Sequence, residues 1–436
     1  MKHLSLLCLL YILSATHLFA QQTADEQAAE LLQRQDLFEI QAKYPPLAGQ
    51  VKNKVIKHML NVLLYANTNR IALVHAELDS IFKNHPNEIG PENVSNLVLM
   101  KAVLLAHEGY YAKAVDWLDS FLQQSASHPD TAQLAPHRAV ASLYRPMYKL
   151  PRPEVVRPQH DVEIPFMREP AGKGTMMRVN VRLNGKVYRF ILDTGANFTY
   201  VHERFAREAG LKILKNTSIS VGHGMLGQVE SRLATADSLM VGDIVFRNPL
   251  IYVGPANEKL DSIYYVDAVL GADFLHQLPE MQIDNEQYKI RFPLESTPCP
   301  ATGPNMLYSE LNFRIKVEHE DETLFFLLDT GDAAASLSTR YYENHRHEVD
   351  AKAIPDSIGY VSTNVLKQRT AKSLPEFTLE LGGKPVTLHN LTIHTSSANH
   401  VGDFPNSSGS LGQQFVTAFK RLTLNFKDGF VSGEPY

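Results

Sequence analysis

The chain contains the tripeptide Asp-Thr-Gly twice, and the surroundings of the tripeptide are repeated with it. The two copies lie at 193–195 and 329–331, each directly after an apolar run that predicts the end of a β-strand. In both copies a hairpin-forming segment precedes the tripeptide. A glycine-centred turn followed by Asn, a motif ending in Leu-Gly and a final pair of strands then follow in the same order. The sequence therefore predicts two copies of one β-rich unit.

The chemistry of the repeat lies in its carboxylates. Asp193 and Asp329 come where a buried strand ends, so each is predicted to emerge into a loop. If the copies pack about a pseudo-twofold axis, the two carboxyl groups meet and share one proton. One then acts as general base and the other as general acid around a bound water, a pair that can activate water against a peptide carbonyl. The other residues of the two tripeptides are expected to support these loops: Thr194, Gly195, Thr330 and Gly331.

These motifs resemble the aspartic peptidases of the pepsin and retropepsin clan. The resemblance covers roughly Gly172 to Gly433, and its second motif is Val269-Leu270-Gly271 in one copy and Ser410-Leu411-Gly412 in the other. It implies two lobes, a catalytic pair formed by Asp193 and Asp329, and an aspartic-type endopeptidase acting on a peptide or protein substrate. It also implies that the second motif packs beneath the Asp loop of its own lobe. The short lobes are more similar to bacterial retropepsin-like proteins than to the longer pepsins.

The family also closes a β-hairpin flap over its substrate, and the first copy has a glycine-rich segment in the corresponding interval. The predicted flap residues are Gly222, His223, Gly224, Met225 and Gly227. The glycines also spell G-x-G-x-x-G, the fingerprint of dinucleotide sites, which requires a strand before it and a helix after it. The residues after Gly227 alternate like a strand, so a mobile flap or neighbouring loop is favoured over a nucleotide site. The second copy has fewer glycines at 358–366, which favours the first copy as flap donor.

One departure from the family pattern lies in the second copy. Asp332 follows the tripeptide where the family generally has Ala, Ser or Thr, whereas the first copy has Ala196. A third carboxylate there could hold an extra proton and shift the pH dependence, could impair water activation, or could point to solvent. The alternative function is a non-catalytic peptide- or ligand-binding protein on the same fold, with a degenerate second half-site. A further alternative keeps catalysis but pairs the lobes between chains.

The N-terminal third has helical rather than strand periodicity. From Ala24 to Met147 apolar residues recur at helical spacing, Gly109 separates two helices, and an earlier hairpin turns at 67–69. The pattern resembles tetratricopeptide-type (TPR) repeats. Both a small packed helical domain and a groove for a protein partner stay open as interpretations, because only two or three units are present.

The first 20 residues resemble a secretory signal peptide. Lys2 and His3 precede a short apolar run that ends in small and polar residues, and a retained N-terminal anchor is the alternative. No other segment approaches the length of a membrane helix, so no membrane span is predicted after removal of the signal.

The predicted fold class is a multidomain chain with an N-terminal α-helical, TPR-like domain, followed by all-β, bilobal, aspartic-peptidase-like closed barrels. The helical pattern stops at a proline-rich segment, which is interpreted as a linker. The predicted boundaries are signal peptide 1–20, helical domain 24–147, linker 148–171, lobe 1 172–295, interlobe linker 296–305 and lobe 2 306–436.

Charge and cysteine content bound the partners and the compartment. The formal net charge is −5 and no long run of Lys or Arg occurs, which argues against a nucleic-acid partner. No cofactor is expected, and no metal site, because His345 and His347 have no further His or Cys at metal-site spacing. Once the signal peptide is removed, Cys299 has no cysteine to pair with, so stability must come from packing. An exported chain with one thiol favours a secreted or periplasmic bacterial protein.

Overall fold

The chain divides into two compact units, 1–152 and 153–436. The computed structural model describes residues 22–125, 134–171, 174–223, 227–255, 267–309, 311–362, 365–396 and 407–436. The predicted signal peptide lies outside the described residues. Among the helices described, none is both long and apolar enough to span a bilayer.

The first unit is helical, as the periodicity predicted. Its helices are α1 (Ala24–Arg34), α2 (Leu37–Leu47), α3 (Lys54–Asn67), α4 (Ile71–Asn84), α5 (Pro86–His107), α6 (Tyr111–Gln124) and α7 (Ala135–Tyr144), followed by a 3₁₀ helix (Arg145–Met147). The two predicted turns separate α3 from α4 and α5 from α6. Each turn contains a residue in the left-handed region, Asn69 with φ 57° and Gly109 with φ 80°.

Local signals and packing together explain these helices. Thr23 and Glu26 form a reciprocal capping box at the start of α1, and Asn53 accepts the Ile56 amide at the start of α3. The apolar faces of α1 to α5 share one core, in which Tyr44 is fully buried and donates to Asn61 Oδ1 at 2.8 Å. The helical character of this region is thus confirmed, while its likeness to TPR repeats stays a prediction.

The second unit is β-rich and begins with the first copy of the repeat. The strands and helices of this copy are β1 (Glu154–Val156), β2 (Val162–Ala171), β3 (Gly174–Leu183), β4 (Lys186–Leu192), β5 (Tyr200–His202), α8 (Glu203–Glu208), β6 (Lys212–Ile213), β7 (Ile219–His223), β8 (Gly227–Thr235), β9 (Ser238–Val241), β10 (Ile244–Arg247), β11 (Leu250–Gly254), β12 (Ala268–Leu270), α9 (Ala272–Leu275), β13 (Glu280–Asp284) and β14 (Lys289–Phe292). The predicted hairpin turn between β3 and β4 has Asn184 and Gly185 both at positive φ, 48° and 86°.

The second copy repeats this order from residue 306. Its elements are β15 (Met306–Ser309), β16 (Asn312–His319), β17 (Glu322–Leu328), β18 (Ser336–Leu337), α10 (Thr339–Asn344), α11 (Arg346–Lys352), β19 (Ile354–Ser362), β20 (Val365–Leu381), β21 (Lys384–His394), β22 (Gly409–Leu411), α12 (Gln413–Val416), β23 (Arg421–Asn425) and β24 (Phe430–Glu434). The pair β3–β4 corresponds to β16–β17. The series β12, α9, β13, β14 corresponds to β22, α12, β23, β24.

The two copies share a sheet rather than standing apart as self-contained lobes. Strands β24, β23, β13, β14 and β2 are neighbours in that order, and β13 pairs antiparallel with β23 from Glu280 opposite Asn425 to Asp284 opposite Arg421. One hydrophobic core accordingly contains residues from both copies. In the second copy β16, β17, β22, β18, β21 and β20 form a closed ring, because β20 pairs back to β16.

The prediction that residues 148–171 form a linker is wrong for the second half of this range. There β2 is a strand of the shared sheet and pairs with both β14 and β3. Its first residues pair with β14 and its last with β3, so each part of β2 is hydrogen-bonded on one side. Pro165 and Pro170 are exposed there, and their missing N–H groups can face the unpaired side. The prolines therefore excluded a helix correctly but did not exclude a strand.

Candidate active site

Asp193 and Asp329 occupy equivalent positions at the ends of two strands. In the first copy β4 lies parallel to β12, and the Asp193 amide donates to the Leu270 carbonyl at 3.0 Å. In the second copy β17 lies parallel to β22, and the Asp329 amide donates to the Leu411 carbonyl, also at 3.0 Å. Each Leu-Gly motif therefore supports the Asp loop of its own copy, as the resemblance implied. Both aspartates are partly exposed.

Gly195 and Gly331 have no side chains, and this allows the two carboxyl groups to approach each other. A Cβ atom at Gly195 would lie 2.5 Å from Asp329 Oδ1, and one at Gly331 would lie 2.5 Å from Asp193 Oδ1. Each carboxyl group therefore rests against the loop backbone of the opposite copy, where a side chain would overlap it. The carboxyl groups of Asp193 and Asp329 are close enough for the charge of Asp193 to raise the pKa of Asp329.

The threonines lock the two loops by a symmetrical set of hydrogen bonds. Thr194 Oγ1 donates to the Leu328 carbonyl at 2.7 Å and accepts the Thr330 amide at 3.0 Å. Thr330 Oγ1 donates to the Leu192 carbonyl at 2.8 Å and accepts the Thr194 amide at 3.0 Å. Both threonines are completely buried. Each hydroxyl thus satisfies one donor and one acceptor of the other copy, and the relative position of the two carboxyl groups is fixed from beneath.

The stability contribution of this lock can be measured with Thr330→Val. Valine has the shape of threonine but leaves the Thr194 amide and the Leu192 carbonyl buried without this partner. We expect the free energy of unfolding of the β-rich unit to fall by about 2–4 kcal/mol. Urea denaturation followed by circular dichroism measures it. Thr378→Val, at an exposed cross-strand pair with Thr387, is the control and should change stability by less than about 0.5 kcal/mol. Equal effects of the two substitutions would contradict a special role for Thr330.

The two carboxyl groups differ in their environments. Asp193 Oδ1 accepts the amides of Gly195 at 2.8 Å and Ala196 at 2.9 Å, whereas Asp329 Oδ1 accepts the amide of Gly331 at 3.0 Å. Burial raises the pKa of Asp193, and these amides oppose that effect. Burial and the negative charges of Asp193 and Asp332 raise the pKa of Asp329 well above its usual range. The shared proton is therefore favoured on Asp329 and the charge on Asp193.

Asp332 lies in the loop beside this pair rather than pointing away as a solvated turn residue. Its carboxylate accepts the Ala334 amide at 3.1 Å, and its own amide donates to the Asp329 carbonyl at 3.1 Å. The side chain is half-buried, and burial raises the pKa of Asp332 to about 6. Its charge is one of the causes of the raised Asp329 pKa. The Asp332 carboxylate therefore contributes to the electrostatic environment of Asp329.

The predicted flap residues lie partly outside the described residues. Gly222 and His223 end β7, Gly227 begins β8, and His223 is paired opposite Gly227 in an antiparallel hairpin. Gly224 and Met225 are not among the described residues. Because the described residues on both sides of the glycines are strands, the strand–helix context of a dinucleotide fingerprint is not found there.

A second hairpin, β19–β20, occupies the equivalent interval of the second copy. Its pairing runs from Ile354 opposite Ser373 to Ser362 opposite Val365 and is longer than that of β7–β8. The preference for the first copy as flap donor rested on its glycines, but the structure describes a hairpin in this interval of both copies.

Sequence reasoning also missed a buried support of the first Asp loop. Asp273, in α9, accepts both the amide and the hydroxyl of Thr199 at 2.9 Å, and Thr199 Oγ1 accepts the Gly271 amide at 3.0 Å. Burial raises the pKa of Asp273 to about 7. In the second copy Gln414 takes the place of Asp273 and accepts the Ala335 amide at 3.3 Å. The equal spacing of Asp273 and Gln414 from their Leu-Gly motifs was the available signal.

Comparison with known proteins bears on the first copy. Residues 179–277 match the family model described as gag-polyprotein putative aspartyl protease. The predicted resemblance to aspartic peptidases is confirmed. The match includes Asp193 and the Leu270-Gly271 motif and ends before the second copy begins. Among solved structures, Basic 7S globulin from soybean is similar at a TM-score of 0.38 and 10% identity, over 64% of this chain and 95% of that chain. A comparison with curated proteins gave no match.

Proposed function

We propose that the protein is an exported aspartic-type endopeptidase whose single active site is formed by Asp193 and Asp329 of one chain. The observation that carries the proposal is that these two carboxyl groups lie at the ends of equivalent strands, each against the glycine of the opposite Asp-Thr-Gly loop. The aspartyl-protease family match of residues 179–277 supports the reaction class.

In the proposed mechanism the two carboxyl groups have different roles. Asp193 carries the negative charge because two loop amides donate to it, so it acts as the general base that takes a proton from water. Asp329 carries the shared proton and donates it to the carbonyl oxygen of the scissile peptide bond. After attack, the proton held by Asp193 passes to the leaving amine as the C–N bond breaks, and a hydroxyl of the tetrahedral intermediate returns its proton to Asp329. The two carboxyl groups then share one proton again.

The remaining parts of the proposal concern substrate, partner and compartment. The hairpins β7–β8 and β19–β20 are proposed to close over a peptide lying across Asp193 and Asp329, as flaps from the two copies. In the first hairpin the flap residues are Gly222, His223, Gly224, Met225 and Gly227. The helical unit is proposed to be TPR-like and to recruit a protein substrate or partner. Secretion or residence in a bacterial periplasm is proposed from the predicted signal peptide.

The proposal is tested by exposing a mixed peptide library to the wild type and to Asp329→Asn from about pH 3 to 8. Cleavage by the wild type and its loss in the variant, with both proteins folded, is the expected result. Asp321→Asn, which changes an exposed aspartate in the turn between β16 and β17, is the control and should cleave like the wild type.

The alternative function is peptide or ligand binding without hydrolysis, and Asp332 is the observation that favours it, because an extra charge in the second half-site could impair water activation. In that case the wild type would leave the library intact while retaining some of its peptides. Intact peptides recovered on the wild type would therefore replace the peptidase proposal with the binding proposal.

Asp332→Ala is expected to shift the activity profile toward acid. Removing this charge removes one cause of the raised Asp329 pKa, so Asp329 loses its proton at lower pH and the general acid is missing sooner. The ratio of kcat/KM at pH 7 to that at pH 5 should fall by about threefold to tenfold. Asp332→Asn, which keeps an acceptor for the Ala334 amide, should behave in the same way. An unchanged ratio in both variants would show that the charge of Asp332 does not act on the pair.

A further inference from the structure

Arg168 connects the shared sheet to the second copy. It lies on β2, is half-buried, and its guanidinium donates to Gln413 Oε1 in α12 and to Asn285 Oδ1 after β13. Neither acceptor carries a charge. One planar cation therefore joins two neutral amides from different copies of the repeat.

The two amides hold α12 at both ends. Gln413 Nε2 donates to the Thr330 carbonyl at 2.6 Å, and the Gln413 backbone amide donates to the Asp332 carbonyl at 2.8 Å. Asn285 Nδ2 donates to the carbonyls of Val416 and Phe419, both at 2.7 Å. Gln413 is thus bonded to the residues on either side of Gly331, in the loop that presents Asp329.

Arg168 also decides which way the Gln413 amide points. A glutamine amide has an oxygen at one end and donors at the other, and the two orientations have almost the same shape. Because the guanidinium can only donate, it requires the oxygen to face it and leaves Nε2 facing the Thr330 carbonyl. In the reversed orientation Gln413 Oε1 would face the Thr330 carbonyl oxygen. The two oxygens would then meet in the protein interior, because Gln413 is only 1% exposed.

The Asp193 half-site lacks an equivalent connection. Arg168 pairs with Met177, and Tyr308 of β15 pairs with Phe313, which precedes its Asp-Thr-Gly by the same number of residues as Met177 does. The residue equivalent to Arg168 is therefore Tyr308, which has no guanidinium. Ala272 stands where the second copy has Gln413. The Arg168–Gln413 connection therefore serves the Asp329 half-site alone.

We propose that Arg168 is a positioning residue for the Asp329 half of the active site, acting by fixing the orientation of the Gln413 amide beneath Thr330. This inference rests on the proposed peptidase function for its kinetic consequence. The consequence for the loop itself does not depend on catalysis.

The test compares Arg168→Met, which removes the guanidinium but keeps a long unbranched side chain, with Arg189→Met, which changes an exposed arginine of β4. We expect kcat to fall about 10-fold to 100-fold in Arg168→Met with KM changed less than about twofold, since displacement of a catalytic group affects the chemical step most. Gln413→Ala should lower kcat similarly, and adding Arg168→Met to it should have little further effect. Arg168→Lys should also lose activity, because one ammonium group does not span both amides; it is the variant to use if the methionine variant does not fold.

Hydrogen exchange separates this inference from the proposed function. In Arg168→Met, peptides covering 326–334 should exchange about 10-fold faster, while those covering 188–196 change little, since the loosening is local to the second loop. Equal acceleration in both segments, or none in either, overturns the positioning role. Faster exchange confined to 326–334 in a protein whose wild type cleaves no peptide would keep the positioning role and reject the peptidase.

Discussion

Asp193→Asn is expected to lower kcat/KM for peptide hydrolysis by about 10⁴-fold, because a neutral amide cannot take a proton from water. The substitution is a mild one for the structure. The asparagine Oδ1 can still accept the amides of Gly195 and Ala196, which Asp193 Oδ1 accepts at 2.8 and 2.9 Å. The loss therefore reports on proton transfer rather than on the loop. The rate is measured on a peptide that the wild type cleaves.

The control for this variant is Asp243→Asn, which removes an exposed carboxylate from the turn between β9 and β10. It should retain wild-type activity. Retention of more than about a tenth of the activity by folded Asp193→Asn would show that this carboxyl group is not the general base.

Gly331→Ala should have the second largest effect. The added Cβ would lie 2.5 Å from Asp193 Oδ1, closer than nonbonded atoms approach, so the carboxyl group must move away from its partner. The backbone at Gly331 is not in the left-handed region, and the effect is therefore one of overlap alone. A displacement of about 1 Å at a reacting group is expected to lower kcat about 10²-fold. Gly195→Ala should act similarly through Asp329.

Gly49→Ala is the matched control, since nothing lies within 4 Å of a Cβ added there. It should leave kcat and the unfolding midpoint unchanged. Wild-type activity in Gly331→Ala would mean that the Asp193 carboxyl group does not rest against the opposite loop when the enzyme works.

The repeat made much of the β-rich unit predictable. The position of Asp-Thr-Gly after an apolar run predicted that Asp193 and Asp329 lie at strand ends. The Asn184-Gly185 pair predicted the turn of the hairpin β3–β4, which precedes Asp193. These are local signals, in which a few neighbouring residues decide strand, turn and loop. The resemblance to aspartic peptidases then placed β12 and β22 beside the two Asp loops, where they lie.

Contacts between distant parts of the chain were not predictable in the same way. Arg168 stood in a proline-rich segment, and nothing near it in sequence indicates that Gln413 lies 245 residues away against its guanidinium. The shared sheet was missed for the same reason, since the pairing of β13 with β23 depends on how two copies meet. The orientation of Asp332 depends on the Ala334 amide in a tight loop, and alternation or composition carries no information about it.

In the proposed enzyme, one chain supplies both carboxyl groups of one site. The most direct test co-expresses Asp193→Asn with Asp329→Asn and measures cleavage of a wild-type substrate, beside the wild type and each variant alone. We expect cleavage by the wild type and none by either variant or by their mixture, because every mutated chain carries one damaged half-site. Activity restored in the mixture would contradict this expectation, since an intact pair of aspartates would then have formed between two chains.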